Sequence, residues 1–250
     1  MSAGIPNPNG RPVRGSIPKP LGIFDPVARA LDLIGERWTL VLVRHLLLGP
    51  AGFQELRQRT GIAPRVLSTR LRQLVERGFV ESRSEGTRSV YAVTELGHTL
   101  EPIVAAIARW WVFYAVEARN VGAEQFNETS AQSIVESLPF LLREDRPDGD
   151  ITFELRLTGS GGGVWTVHVE NGEAAVHTGF AGRADVRYTA ESQVWCSVAL
   201  GLVDARDTVK RGLMTKEGGR ESLAWYFHQI GEPPRRKGAA ASQETERSRS

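Results

Sequence analysis

An α+β fold in two consecutive units is what this sequence predicts, and three observations carry it. Residues 62–78 read as one amphipathic helix, with a shorter helix before it and two short alternating strands after it. Residues 151–189 hold four alternating strands divided by glycine-containing turns, and the remainder is helical. A chain of 250 residues has room for two ordinary domains, each burying its own core.

The elements follow in order. Residues 1–20 are rich in Pro, Gly and Asn and carry Arg11, Arg14 and Lys19, so a disordered arm is expected. Asp25 is placed to cap a first helix, with Pro26 at its first position, where the missing N–H costs nothing. Gly35 interrupts, and the apolar run from Glu36 to Leu48 predicts a second, buried helix ended by Gly49-Pro50. A short helix over 53–60 stops at Gly61, and Pro64 opens the next, which Gly78 is placed to end. Two helices joined through a glycine-containing turn fit a helix-turn-helix.

The helix from Pro64 has two faces. Leu67, Leu71, Leu74 and Val75 form an apolar stripe, while Arg65, Ser68, Thr69 and Arg72 recur on the other side. Arginine can fork onto guanine O6 and N7, and short hydroxyls suit phosphates or base edges, so this front is built for the DNA major groove. Arg70 and Gln73 are further candidates. Net charge is only +2, yet residues 56–75 contain five arginines and no acid, a local basic footprint. A solvated amphipathic helix would share the stripe but not this bias. Strands over 79–83 and 89–94, joined by a loop at 84–88, place Arg83 and Arg88 near a hairpin tip. The order is that of a winged helix.

Asp25-Pro26-Val27-Ala28-Arg29-Ala30-Leu31, Gly35-Glu36-Arg37-Trp38-Thr39, Pro64-Arg65-Val66-Leu67-Ser68 and Thr94-Glu95-Leu96-Gly97 resemble the HxlR-type winged-helix regulators. The match runs from about residue 21 to 119. It implies a homodimer on near-palindromic double-stranded DNA, with one recognition helix in each of two groove segments. It also implies dimerisation through terminal helices. The apolar stripe of Leu96, Leu100, Ile103, Val104, Ile107, Trp111 and Tyr114 supports this, beside the alternative of packing onto its own domain. Two departures stand out. Phe24 lies where redox-sensing members carry cysteine, and Ala63 lies where a serine-type helix cap is common.

Composition changes over 121–130, taken as a linker. A helix is expected over 131–142, then strands at 151–157, 164–169, 174–177 and 185–189, with a turn at Glu170-Asn171-Gly172-Glu173. Helices at 191–200, 205–213 and 220–229 would cover one sheet face, an α+β layer. This order, with Ala184-Asp185-Val186 and Asp204-Ala205-Arg206-Asp207, resembles a sterol-carrier-protein-like domain over 131–230. The resemblance implies an apolar pocket for a lipid or other hydrophobic small molecule. Phe153, Trp165, Trp195, Leu202 and Trp225 are the candidate lining. Residues 231–250 are polar and expected to be disordered.

Catalysis finds no support. Cys196 is the single cysteine, which excludes an internal disulfide and a cysteine-based zinc site, and no motif surrounds it. His45 is read as a satisfied core or interface histidine, His168 and His177 fall in the expected strands, Asp204 and Asp207 are helix-start residues, and Gly161-Gly162-Gly163 is a strand connection. No cofactor, metal or membrane insertion is expected, and the location expected is cytoplasmic. The reading is a DNA-binding regulator, a homodimer modulated by a hydrophobic ligand. The alternative is a ligand carrier or enzyme whose winged helix mediates protein contacts.

Overall fold

The computed structural model describes residues 25–86, 88–116, 121–228 and 230. The expected arm at 1–20, the tail at 231–250, Phe24 and Arg119 lie outside these residues.

Helix α1 (Pro26–Ile34) starts as anticipated, with the Asp25 carboxylate accepting from the Val27 and Ala28 amides. Helix α2 (Arg37–Leu47) is capped by the Glu36 carboxylate on the Trp38 amide at 2.9 Å and buries Leu42, Val43 and Leu46. Helices α3 (Phe53–Thr60) and α4 (Pro64–Glu76) are joined through Gly61, which adopts φ 66°. Beyond α4, Gly78 takes φ 77°. Its amide reaches the Val75 carbonyl while Phe79 N–H reaches that of Leu74, so the last carbonyls of α4 are paired in a Schellman ending.

Strands β2 (Val80–Glu85) and β3 (Arg88–Val93) form the wing, with β1 (Ala51–Gly52) on the other edge of β3. The sequence places a five-residue loop at the tip. The strands instead pair as far as Glu85 with Arg88, leaving a two-residue turn that Gly86 enters at φ 60°. The helix expected after the wing is broken. Short α5 (Glu95–His98) gives way to α6 (Glu101–Trp110), with Pro102 in its first turn, and then to a π-helical turn over Trp111–Ala115. One core gathers Leu42, Val43, Leu46, Leu56, Ile62, Leu67, Leu71, Leu74 and Leu100. Each leucine so buried is worth about 1.5–3 kcal/mol relative to exposure.

In the C-terminal part the chain is α+β. Helix α7 (Ser130–Val135) is shorter than the sequence suggests, because Pro139 enforces a new start and residues 138–141 form a 3₁₀ turn. Strands β4 (Ile151–Thr158), β5 (Gly163–Glu170), β6 (Glu173–Thr178) and β7 (Val186–Glu191) match the anticipated four. A fifth, β8 (Met214–Gly218), was not anticipated. The sheet order is β6-β5-β4-β7-β8, antiparallel except for the parallel β4–β7 pair. The β5–β6 turn runs through Asn171 at φ 51° and Gly172 at φ 87°, the type I′ geometry that an Asn-Gly pair favours.

Helices α8 (Ser192–Ala199), α9 (Ala205–Lys210) and the one-turn α10 (Leu223–Tyr226) complete the unit. The last two are shorter than expected, and Gln229 lies outside the described residues. A second core holds Phe153, Leu155, Trp165, Val167, Val186, Trp195 and Phe227. Phe153, Trp165 and Trp195, expected to line a pocket, are buried among the side chains of this core. Leu202 is half-buried and Trp225 is exposed.

Candidate nucleic-acid interface

Helix α4 is held by its back. Leu67, Leu71 and Leu74 are at most 2% exposed, whereas Val75, expected in the same stripe, is 38% exposed. Arg65, Ser68, Thr69 and Arg72 stand together on the exposed side. The Thr69 hydroxyl donates to the Arg65 carbonyl at 3.0 Å, so its oxygen still presents lone pairs outward. The N-cap residue Ala63 gives no side-chain hydrogen bond, which leaves the first amides of α4 uncapped by a side chain.

Arg70 and Gln73 are half-buried and bond one another at 2.7 Å. Arg70 also forms an ion pair with Glu36 at 3.2 Å. Since Glu36 caps α2, this carboxylate fixes the flank of α4 against the start of α2. The partner lies too far along the chain for periodicity to reveal it. Arg59 likewise pairs with Glu55 at 2.8 Å and with Glu136 at 3.5 Å. Two of the five arginines over 56–75 thus have carboxylate partners. Arg57 remains exposed beside the front, a position the sequence reading passed over.

The wing and its exit are fastened to α4. The Thr94 hydroxyl donates to the Gly78 carbonyl at 2.5 Å and accepts from the Gly97 amide at 3.1 Å. A Cβ on Gly97 would come within 2.1 Å of the Phe79 carbonyl oxygen, so the Thr94-Glu95-Leu96-Gly97 stretch requires glycine there. On β2, Arg83 is exposed and paired with Glu81, its Nε donating at 2.8 Å. Arg88 pairs with Glu85 through the backbone register, and its side chain lies outside the described residues.

Behind this surface sits a buried polar knot. Arg44 of α2 donates to the Ser133 carbonyl at 2.6 Å and the Ser137 hydroxyl at 2.8 Å, and meets Glu136 at 3.4 Å. Burial lowers the Arg44 pKa to about 10. Burial first, then Arg44 and Arg59, push His45 down to about 3. The Glu136 carboxylate lies 3.7 Å from His45 but is already engaged by both arginines and by Gln132. His45, expected to be a satisfied core or interface histidine, meets the guanidinium of its neighbour Arg44 at 3.1 Å, and Glu136 comes to it from a distant segment.

Burial raises the Cys196 thiol to about 11, which leaves almost no thiolate near neutrality. His168 meets Thr152 at 3.0 Å, and its ring lies tilted beside that of His177, centroids 5.7 Å apart. Among the described residues no cluster of His, Cys, Asp or Glu could hold a metal, and no helix is long and apolar enough to cross a membrane.

A model of the HxlR-like helix-turn-helix family matches residues 33–118. YybR of Bacillus subtilis, an uncharacterized HTH-type transcriptional regulator, is 36% identical over 89 residues, which cover 34% of this chain and 71% of YybR. The similarly described Rv3095 of Mycobacterium tuberculosis is 40% identical over 87 residues, 34% of this chain and 55% of that one. The chain thus spans about half the length of this mycobacterial relative. Among solved structures, the redox regulator HypR in its reduced form is similar with TM-score 0.36 and 33% identity, over 39% of this chain and 100% of HypR.

Proposed function

Because this chain belongs to the HxlR-like helix-turn-helix family, we propose that it is a transcriptional regulator that binds double-stranded DNA through the exposed face of α4. The observation that carries this is the pairing of a fully buried leucine back with Arg65, Ser68, Thr69 and Arg72 in front. Arg65 and Arg72 read base edges, the two hydroxyls bond phosphates or base edges, and Arg83 and Arg88 anchor the wing on the backbone. Arg70 and Gln73 act from behind, by holding α4 on Glu36.

The regulator acts as a homodimer. Exposed apolar side chains on α1 (Val27, Leu31) and after the wing (Ile107, Trp110 at 59%, Tyr114 at 70%) support this, since monomers rarely leave such groups in water. A dimer would set its recognition helices on half-sites on the order of 34 Å apart. Residues 21–120 form the DNA-binding unit and residues 131–230 a sterol-carrier-protein-like unit, joined by 121–130. Two separate hydrophobic cores support that division.

Equilibrium binding to a duplex selected by the wild-type chain tests the reading. Arg65→Ala should lose about 1–3 kcal/mol of discrimination at the base pair it contacts. Unchanged discrimination would remove α4 from the interface.

A further inference from the structure

The C-terminal core is filled, but a cleft of about 540 Å³ opens elsewhere, between the π-helical turn, the segment before α7, α7 itself and the end of α8. That volume suits a small molecule, whereas a hollow of about 60 Å³ beside Cys196 does not. Trp111, Phe126, Ile134 and Leu200 supply apolar wall. Asn127, Thr129, Ser130 and Ser133 add neutral polar groups, and no described residue of the lining carries a charge.

We propose that this cleft binds a neutral small molecule with an apolar, ring-sized body and a few hydrogen-bonding groups. Among the described lining residues a charged ligand would meet no opposite charge on leaving water, and neutral amide and hydroxyl groups satisfy neutral polar atoms at least cost.

The same helix connects the cleft to the DNA-binding unit. Ser133 lines the cleft, and its carbonyl accepts from Arg44 of α2 and from the Ser137 hydroxyl. One turn on, Glu136 holds Arg44 and Arg59. Arg59 lies at the end of α3, immediately before the turn into α4. A ligand that shifts α7 therefore acts on both helices against which α4 is set. The site stands on its own geometry, while its effect on DNA rests on the proposed regulator role. Occupancy changes DNA affinity to the extent that the ligand prefers one arrangement of α7 over the other.

The test uses two fluorescent probes of one shape, neutral N-phenyl-1-naphthylamine and its sulfonated analogue 1-anilinonaphthalene-8-sulfonate, titrated into the full chain. The neutral probe should bind at least tenfold more tightly. Thr129→Trp and Leu200→Trp, which fill the cleft from different elements, should each weaken it tenfold with an unchanged circular dichroism spectrum. If one variant does not fold, the other decides. Saturating neutral probe should shift affinity for a selected duplex at least threefold. Equal binding of the two probes, or undiminished binding to a folded variant, overturns the site. An unchanged duplex affinity at saturation overturns the coupling. Probe binding lost in the variants, with no duplex bound by the wild type, would uphold the site and overturn the regulator role instead.

Discussion

Arg83 and His45 are both charged or chargeable groups near the interface, and they have opposite fates. Arg83 is exposed on the wing with only Glu81 as partner, so it can exchange that carboxylate for a phosphate. Arg83→Ala should weaken binding to all duplexes alike and lower the salt slope by about 1, read by titrations at several salt concentrations. Loss of selectivity with no change in slope would place Arg83 on a base instead. His45 is buried among arginines, and its pKa falls from 6.5 to about 3. The unfolded chain therefore takes up a proton below about pH 6.5 that the folded chain refuses until about pH 3. His45 contributes no pH dependence above 6.5, and it costs stability on the order of 1 kcal/mol for each pH unit down that window. Thermal unfolding from pH 7 to 4 should show this decline, and His45→Gln, if folded, should flatten it. Residues of this kind show what was legible. The caps, helix ends and exposed arginines follow from local spacing. The partners Glu36 for Arg70 and Glu136 for Arg59 join distant segments, and no periodicity encodes them.

Among the elements, α4 combines a strong ending with a weak start. Its C-terminus is closed by Gly78, whereas Ala63 leaves its N-terminus without a side-chain cap. Ala63→Ser should stabilise the chain by about 1 kcal/mol, measured by denaturant unfolding, since Ala63 already has non-helical backbone angles, φ −57° and ψ 136°. No gain would mean that the first amides of α4 are better paired than the structure shows. The elements that sequence reading missed have physical reasons. In β8 only Met214 is buried, and the rest of that edge strand is polar, so no alternation marks it. The helix expected over 131–142 overlooks Pro139, and the stripe after the wing overlooks Pro102. By contrast β4, β5 and β7 lie over one core and largely alternate apolar with polar residues, so the expected strands fall within a residue or two of them, although Glu154 and Thr166 are buried as well.

For the molecule as a whole, the two cores are joined at the buried Arg44–Glu136 knot and where α6 packs on residues 138–141, and the outer side of α6 leaves Ile107 and Trp110 exposed as an apolar surface. That surface suits self-association, and Ile107→Glu should shift the chain toward monomer in sedimentation experiments while weakening duplex binding. A folded variant that stays dimeric would move the interface elsewhere. Phe153, Trp165 and Trp195, expected along an apolar pocket, are buried in the C-terminal core. Composition cannot separate a filled core from an open one, because the same side chains serve both. The most direct test is selection of the full-length chain on a random duplex library at two salt concentrations. A near-palindromic enriched site with half-sites about one helical turn apart and a steep loss of affinity with salt is the expected result. Folded, dimeric protein that enriches no sequence at either salt concentration would contradict it.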